Sequence, residues 1–431
     1  MTEQFIILNE KDLRGAKSRI AEIEYALSSE EQFNSIVEGL SLDLVNGYRR
    51  AMQTQKQDLE ATIQAYEEAK EGDFSDLLKR AGGDIGVFLI IARIIKGYSQ
   101  KDLARRLGIK EQQIQRYEAD RYKSINIANY KRIAHALGVK LDVKMQDVND
   151  WWLSGNQELI NKYYAEDIKK VMKHAKEHGW FDAENSDVFD DEIGNPLQRY
   201  ISDHFLNYGS PALLRTGFNI EDMSDDLLLV AWKARVTEKA AKIISENKVS
   251  YNEIDISWLN KLVKLSAYKD GPSKARKLLL EYGIILIAEP QIQGLKLDGA
   301  AFLMGNIPVI GLTLRHDRLD NFWFTLLHEV AHIILHYRMG LKIGFFDETE
   351  KKQIDEIEQE ADNFALNLLI PNEKWKRSPA RISKTDKPIE KLAEDLGIHP
   401  AIVFGRVRKE RDNYTIFSNK LGQGLVRKCL L

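Results

Sequence analysis

The stretch FTLLHEVAH, residues Phe324 to His332, decides how the rest of the chain is read. It contains the pattern H-E-x-x-H, in which His328 and His332 lie one turn apart on the same face of a helix, so that both imidazoles can reach one metal ion. Glu329 stands next to the first histidine and can hold a water molecule and take its proton. Two neutral imidazoles, one carboxylate and an open position are the ligand set that suits Zn²⁺.

The residues on either side of the motif are apolar, from 321 to 327 before it and from 333 to 335 after it. A buried helix that carries two histidines and a glutamate needs partners for those polar groups, and a metal ion supplies one. The alternative is a structural helix whose polar groups are satisfied by neighbouring side chains. The pattern favours the zinc site.

A catalytic zinc ion needs a third protein ligand, and the best candidate lies in EIEQEADNFALNLLIP, residues 356–371. The apolar spacing predicts a helix that stops at Pro371. Glu358 is the favoured ligand, and Asp362, one turn further on, can accept the outer N–H of a ligand histidine. Glu360 is the rival ligand, although it points about 200° round the helix from Glu358.

Strand patterns appear shortly before the metal motif, at 284–288, 300–304 and 307–312, with Gly305-Asn306 as a hairpin turn. Together with long helical patterns elsewhere, they predict a mainly α protein with a small antiparallel sheet, of the α+β class. An edge strand at Asp298 to Leu303 can hold an extended substrate by β-addition. A purely structural sheet is the alternative.

A second informative block covers residues 84–140, where a helix-turn-helix pattern is expected. Ser99 caps one helix, Gly108 ends it, and the next helix follows after a tight turn. Between Asp84 and Lys140 there are 12 Lys and Arg against 5 Asp and Glu, a net charge of +7, whereas the remaining residues sum to −10. A basic module in an acidic chain predicts binding to double-stranded DNA, and a fold used only for protein contacts is the alternative.

The helix that starts near residue 110 is the expected recognition helix. Its exposed polar side chains offer donors to base edges in the major groove; they are Lys110, Gln112, Gln113, Gln115 and Arg116. Gln100, Arg121 and Lys123 are better placed to contact phosphates.

Residues 1–80 carry a narrow helical stripe that predicts a helical hairpin or short coiled-coil arm. This arm is expected either to form a homodimer or to cap the next domain. The expected boundaries are 1–80 for the arm, 84–145 for the helix-turn-helix domain, 146–260 for a helical linker region and 261–431 for the zinc domain. The single cysteine, Cys429, fits a reducing cytoplasm, and no apolar run reaches the roughly 18 residues of a membrane span.

These motifs resemble two known families. SQKDLARRLGIKEQQIQRYEAD with YKRIAHALGV is similar to Xre or lambda-repressor-like helix-turn-helix domains. FTLLHEVAHIILH with EQEADNFALNLLIP resembles the ImmA/IrrE family of zinc metallo-endopeptidases, over roughly residues 260–415. The resemblance implies a gluzincin-like domain, with His328, His332 and Glu358 as ligands and Glu329 as general base. It gives His336 a supporting role next to the ligands.

The whole layout resembles antitoxin-like regulators that fuse the two domains. The resemblance implies cleavage of a partner protein, a repressor or a toxin, in stress response or toxin–antitoxin control. The alternative is an antitoxin or repressor that uses the zinc domain only to bind its partner. The tail IEKLAEDLGIHPAIVFGRVRKE is expected to be part of the peptidase domain, with a second DNA reader as the alternative, and its Arg406 and Arg408 can contact substrate or nucleic acid. Tyr337 and His316 are candidate oxyanion stabilisers.

Overall fold

The structure is a computed structural model that describes residues 6–81, 85–122, 125–140, 157–180, 197, 200, 226–337 and 348–431. Contacts divide the chain into two compact units. The first combines residues 1–25 with 52–157, and the second combines 26–51 with 158–431. Each unit is therefore built from two separate stretches of sequence. The four domain boundaries expected from the sequence stay predictions.

The N-terminal part of the chain is helical. Its described helices are α1 (Glu10–Leu27), α2 (Glu30–Ile36), α3 (Leu42–Glu71), α4 (Ser75–Ala81), α5 (Ile85–Ile95), α6 (Gln100–Leu107), α7 (Glu111–Ala119) and α8 (Ile127–Ala136).

In the first unit, α1 and the later part of α3 form an antiparallel pair. Glu10 near the start of α1 accepts from Lys70 near the end of α3 at 3.1 Å, and Glu24 lies 2.7 Å from Lys56. Such exposed ion pairs contribute little each, so the buried apolar stripe between the helices, which includes Ile23, holds them together. The predicted helical hairpin is confirmed, and its use for dimerisation stays a prediction.

In the helix-turn-helix region, α6 begins and ends where the sequence predicts. The Ser99 hydroxyl accepts from the Asp102 N–H at 3.1 Å, and the Asp102 carboxylate accepts from the Ser99 N–H at 3.1 Å. This reciprocal cap satisfies two N–H groups that the first turn of α6 would leave free. Gly108 ends the helix with φ +66°, a conformation that favours glycine.

A buried ion pair joins α5 to α7 in this region. The Arg93 Nε and Nη2 atoms donate to the two carboxylate oxygens of Glu118 at 2.5 and 2.9 Å, and both residues are 6% exposed. The Gln100 amide adds a third hydrogen bond to the same carboxylate at 2.8 Å. Removing one member of such a pair leaves the other as a buried, unpaired charge.

The second unit contains a three-stranded sheet and most of the remaining helices. These elements are α9 (Gln157–Glu177), α10 (Asp226–Glu246), α11 (Leu259–Lys264), α12 (Gly271–Glu281), β1 (Ile285–Ala288), β2 (Gly299–Met304), β3 (Ile307–Leu312), α13 (Leu319–Leu335), α14 (Glu348–Leu369), α15 (Asn372–Arg377), α16 (Asp386–Leu396), α17 (Pro400–Glu410) and α18 (Val426–Leu430), with short 3-10 turns at Leu265–Ala267, Pro379–Arg381 and Ser418–Lys420.

The strand order is β1-β3-β2, with β2 antiparallel and β1 parallel to β3. The predicted class, mainly α with a small sheet, is confirmed, as is the hairpin between β2 and β3. The sheet is mixed, however, and not purely antiparallel. Because residues 289–298 carry the chain past β3 before the hairpin, β1 pairs with the second hairpin strand in the same direction.

Two helices cover the two faces of this sheet. A Cβ atom on Gly311 would lie 2.6 Å from the Trp232 ring of α10, and one on Gly299 would lie 2.8 Å from Thr325 of α13. Both glycines therefore allow a close approach that a side chain would block. The packing seats α13, with the H-E-x-x-H motif, directly against β2.

The described helices include none that is both long and apolar enough to cross a membrane.

Candidate metal centre and DNA interface

Helix α13 presents the histidine motif from a firmly anchored position. Its first turn is fixed by the Arg318 guanidinium, which donates from Nε and Nη2 to the two oxygens of Asp320 at 3.0 Å each. Its apolar side chains form one of the cores of the second unit; they include Phe322, Trp323, Leu326, Leu327, Val330 and Ala331, all at most 2% exposed. The helix ends at Leu335, and the N–H of the next residue, His336, donates to the His332 carbonyl.

Three predicted ligands converge on one point. The Nε2 atoms of His328 and His332 lie 3.1 Å apart, and the Glu358 carboxylate of α14 lies 3.1 Å from the first and 3.4 Å from the second. Ligands at about 2.0–2.2 Å from a tetrahedral zinc ion lie roughly 3.3 Å from one another. In the described part of the chain, no other trio of His, Cys, Asp or Glu side chains brings its ligand atoms within 4.8 Å.

Asp362 contacts the ring of His328 and orients it. The Asp362 carboxylate lies 2.9 Å from the Nδ1 atom of His328, on the opposite side of the ring from the convergence point. A carboxylate can only accept a hydrogen bond, so Nδ1 carries a proton and Nε2 is the ring atom that faces Glu358 and His332. A metal ion at that point would therefore bind His328 through Nε2.

His332 is held by a longer series of contacts. Its Nδ1 atom lies 3.3 Å from the Nδ1 atom of His336, and the Nε2 atom of His336 lies 3.2 Å from the Glu360 carboxylate. Because Glu360 accepts from His336 Nε2, the His336 Nδ1 atom can accept from His332. The Nε2 lone pair of His332 is then free for a metal. Glu360 in turn lies 3.8 Å from Arg50 of α3 in the same unit.

The charges around the convergence point favour a cation there. Burial lowers the pKa of His328, but hydrogen bonds to Asp362 and Glu358 outweigh it and raise that pKa to about 10. Burial alone would raise the pKa of Glu358, but the hydrogen bonds from His328 and His332 outweigh it and hold that pKa well below its usual value. The carboxylates thus hold a positive charge on His328 beside this point, and a divalent ion such as Zn²⁺ could replace that proton and bind both imidazoles and the ionised carboxylate.

Glu329 lies beside the three predicted ligands and outside the trio that converges. It is 6% exposed, and burial raises the pKa of its carboxyl to about 7, partly offset by the positive charge of His328. The Ala301 N–H of β2 donates to its carboxylate. A Cβ atom on Gly299 would lie 3.0 Å from Glu329 Oε1, so glycine leaves room for this carboxylate. A pKa near neutrality suits a residue that both takes and returns a proton.

A cavity of about 500 Å³ opens over the ligands. One wall is the stretch from Lys296 to Ala301, which includes the start of the edge strand β2, and the opposite wall is formed by residues of α14 and α17. Further wall residues that the sequence did not single out are Arg318, Asp320, Asn321, Phe324, Leu366, Leu369, Ile370, Ile402, Lys409 and Tyr414. They come from the residues just before the metal motif and from segments in or next to α14 and α17, and the packing of these segments brings them together.

Some of the predicted site residues do not line this cavity. The Tyr337 hydroxyl donates to the Asn306 carbonyl, and His316 is exposed on the loop before α13, so neither lines the cavity, and oxyanion roles for them are not supported. Glu360 contacts His336 instead of the ligand trio. Arg406 and Arg408 do line the cavity, as the sequence suggested for a substrate contact.

The second candidate site is the exposed face of α7 in the first unit. Lys110, Gln112, Gln115 and Arg116 are exposed, whereas Gln113 is half-buried and donates to the Tyr117 hydroxyl at 2.6 Å. The core beneath this face is apolar, with Ile114 fully buried.

Two of the predicted phosphate contacts are less exposed than this face, and the third, Lys123, lies outside the described residues. Gln100 uses an amide N–H on Glu118, and Arg121 is half-buried with φ +55°. The individual DNA contacts stay predictions.

Comparison with family models finds two domains in the chain. Residues 89–144 match the model described as helix-turn-helix, and residues 281–406 match the M78 peptidase model described as the IrrE N-terminal-like domain. The chain therefore combines a helix-turn-helix domain of the DNA-binding class with an IrrE-like domain of metallopeptidase type. This is the fusion that the sequence motifs predict. Comparisons with curated proteins and with solved structures give no match.

Proposed function

We propose that this protein is a DNA-binding transcription regulator whose IrrE-like domain is a zinc-dependent endopeptidase that cleaves a partner protein. The observation that carries the proposal is the arrangement of His328, His332 and Glu358 around one point, with Glu329 and an open cavity beside it. A structural zinc site usually has four protein ligands, whereas the described residues offer three here and leave one side open to the cavity. The helix-turn-helix domain supports binding to operator DNA, and a regulator bound to operator DNA would act in the cytoplasm.

In this proposal, different residues of the chain bind the metal ion, orient its ligands and transfer the proton during peptide hydrolysis. Zinc in such a site supplies Lewis acidity, which activates water and polarises a carbonyl group. His328, His332 and Glu358 would hold the ion, with Asp362 and the His336–Glu360 pair fixing the two imidazoles. Glu329 takes the proton of the attacking water at a carboxylate oxygen and returns it to the leaving amine.

The edge strand β2 supports an extended substrate in this proposal. Among the strands that the structure describes, β2 pairs with β3 alone, and the Ala301 N–H that donates to Glu329 belongs to its other side. A peptide added along that side would pass in front of Glu329 and the ligand trio. The substrate is proposed to be a regulatory protein, a repressor or a toxin. A peptidase joined to a DNA-binding domain is expected to act on few targets, as a regulator does.

The cleavage proposal is tested by comparing new protein N-termini in cells that produce either the wild-type protein or Glu329→Gln. We expect a small set of new N-termini with the wild type only, lost from lysates treated with a zinc chelator and restored by added Zn²⁺. Identical N-termini in the two samples, while both proteins hold one zinc ion per chain, would favour the alternative, a non-proteolytic antitoxin or repressor.

The proposed DNA binding predicts that Arg116→Ala weakens binding to the DNA upstream of the protein's own gene by about tenfold or more. The reason is that a contact from arginine to guanine contributes about 1–3 kcal/mol. The measurement is fluorescence anisotropy at several salt concentrations. Arg14→Ala removes an exposed arginine of α1 and serves as the matched control. Equal binding by the two variants would exclude α7 as the recognition helix.

A further inference from the structure

Helix α17 lines the cavity with three basic residues, and two of them are already satisfied. Arg406 donates to the Leu366 carbonyl at 3.1 Å, and Lys409 lies 3.2 Å from the Asp362 carboxylate. Arg408 differs, because only its Nη2 atom has an acceptor, the carbonyl of Tyr414. Its Nε and Nη1 atoms have no hydrogen-bond partner among the residues that the structure describes.

The surroundings of Arg408 do not balance its charge. The side chain is 5% exposed, so water does not solvate it as it would a surface arginine. The nearby carboxylate, Asp320, is 8% exposed and uses both oxygens on the Arg318 guanidinium. Two buried or half-buried guanidinium groups therefore share one carboxylate, which leaves one positive charge in the cavity wall. Burial and the neighbouring Arg318 lower the pKa of Arg408 accordingly.

An unpaired buried charge is costly, and a protein can keep one where a bound ligand of opposite charge pairs with it. Arginine matches the shape and charge of a carboxylate, with hydrogen bonds stronger than those between neutral groups. The cavity that holds Arg408 also holds Glu329 and the predicted ligands, so a peptide bound for cleavage would place a neighbouring residue against this wall.

We propose that Arg408 is a specificity-determining residue that binds a carboxylate of the substrate, so that the peptidase prefers an acidic residue, or a free C-terminus, close to the scissile bond. This inference rests on the proposed endopeptidase function and names the chemical class of its substrate. Arg318 supports the preference by occupying the carboxylate that would otherwise neutralise Arg408.

The test uses three peptide hydroxamates that anchor on zinc and differ in one feature. The first carries glutamate beside the hydroxamate and an amidated C-terminus. The second carries glutamine in its place and is also amidated. The third carries the same glutamine with a free C-terminal carboxylate. Binding of each probe to the zinc-loaded full chain is measured by calorimetry, so the readout does not depend on turnover.

We expect wild type to bind the glutamate probe or the free-carboxylate probe about ten- to a hundredfold more tightly than the neutral probe, and the better of the two identifies the source of the carboxylate. Arg408→Gln should remove the difference, and Arg408→Lys should keep part of it. Arg377→Gln, which removes an exposed arginine from α15 outside the cavity wall, should keep all of it. Zinc content and melting temperature of each variant confirm that it is folded.

Equal binding of the three probes by wild type, or a preference that Arg408→Gln leaves unchanged, would overturn the inference while the zinc site stands. Failure of all three probes to bind any zinc-loaded protein would overturn the proposed peptidase site, and the inference with it.

Discussion

Glu329→Gln should lower kcat/KM for peptide cleavage by about 10²- to 10⁴-fold while the protein keeps its zinc ion. Glutamine has nearly the same shape and can still accept the Ala301 N–H, so the contact between α13 and β2 is preserved. Its amide cannot take a proton from water. Because Glu329 lies outside the ligand trio, the affinity for zinc should change little. The measurement is steady-state cleavage of a substrate identified from new N-termini.

The matched control is Glu356→Gln, which neutralises an exposed carboxylate two residues before Glu358 and should leave kcat/KM within about twofold of wild type. Wild-type rates for Glu329→Gln with full zinc content would show that another group acts as the base. A loss of zinc in this variant would instead mean that Glu329 belongs to the ligand set.

Glu118→Ala should lower the free energy of unfolding of the helix-turn-helix region by about 3–5 kcal/mol, because it leaves Arg93 buried without its partner. The same carboxylate accepts from Gln100, so the variant also removes the hydrogen bond that links the start of α6 to α7. Hydrogen exchange of the amides in α5 to α7, followed through a urea titration, measures the loss locally. DNA affinity should fall in parallel, since α7 is the proposed recognition helix.

Two variants check the cause of this destabilisation. Glu111→Ala removes an exposed glutamate from the same helix and should change the unfolding free energy by no more than about 0.5 kcal/mol. The double variant Arg93→Met with Glu118→Leu removes both charges and should recover much of the lost stability. If Glu118→Ala behaves like Glu111→Ala, the buried pair does not hold the two helices together.

Local patterns accounted for much of the fold. Ser99 with Asp102, and Gly108, set the ends of α6 because capping depends on residues within one turn. Gly305-Asn306 located the hairpin for the same reason. The parallel pairing of β1 with β3 has no such local signal, because it depends on the path of residues 289–298 past β3. The inclusion of residues 26–51 in the second unit is also a tertiary property with no signal in the sequence pattern.

The candidate site likewise has features that local patterns predict and features that depend on tertiary packing. His328 and His332 share a face because helical spacing requires it, and the one-turn spacing of Glu358 and Asp362 placed both on the side of α14 that faces His328. The contact of His336 with Glu360 needed the packing of α13 against α14, which no single-helix argument gives. Arg408 could be named as a possible substrate contact from the sequence, but its missing partner is visible only in three dimensions.

The central claim is that His328, His332 and Glu358 hold one zinc ion, with Glu360 acting on it only through His336. The most direct test is the zinc content, after dialysis, of wild type, Glu358→Ala and Glu360→Ala, measured by inductively coupled plasma mass spectrometry. We expect about one zinc ion per chain in wild type, little or none in Glu358→Ala, and an ion held about 10- to 100-fold more weakly in Glu360→Ala. No zinc in wild type, or full zinc in Glu358→Ala with loss in Glu360→Ala, would contradict the proposed site.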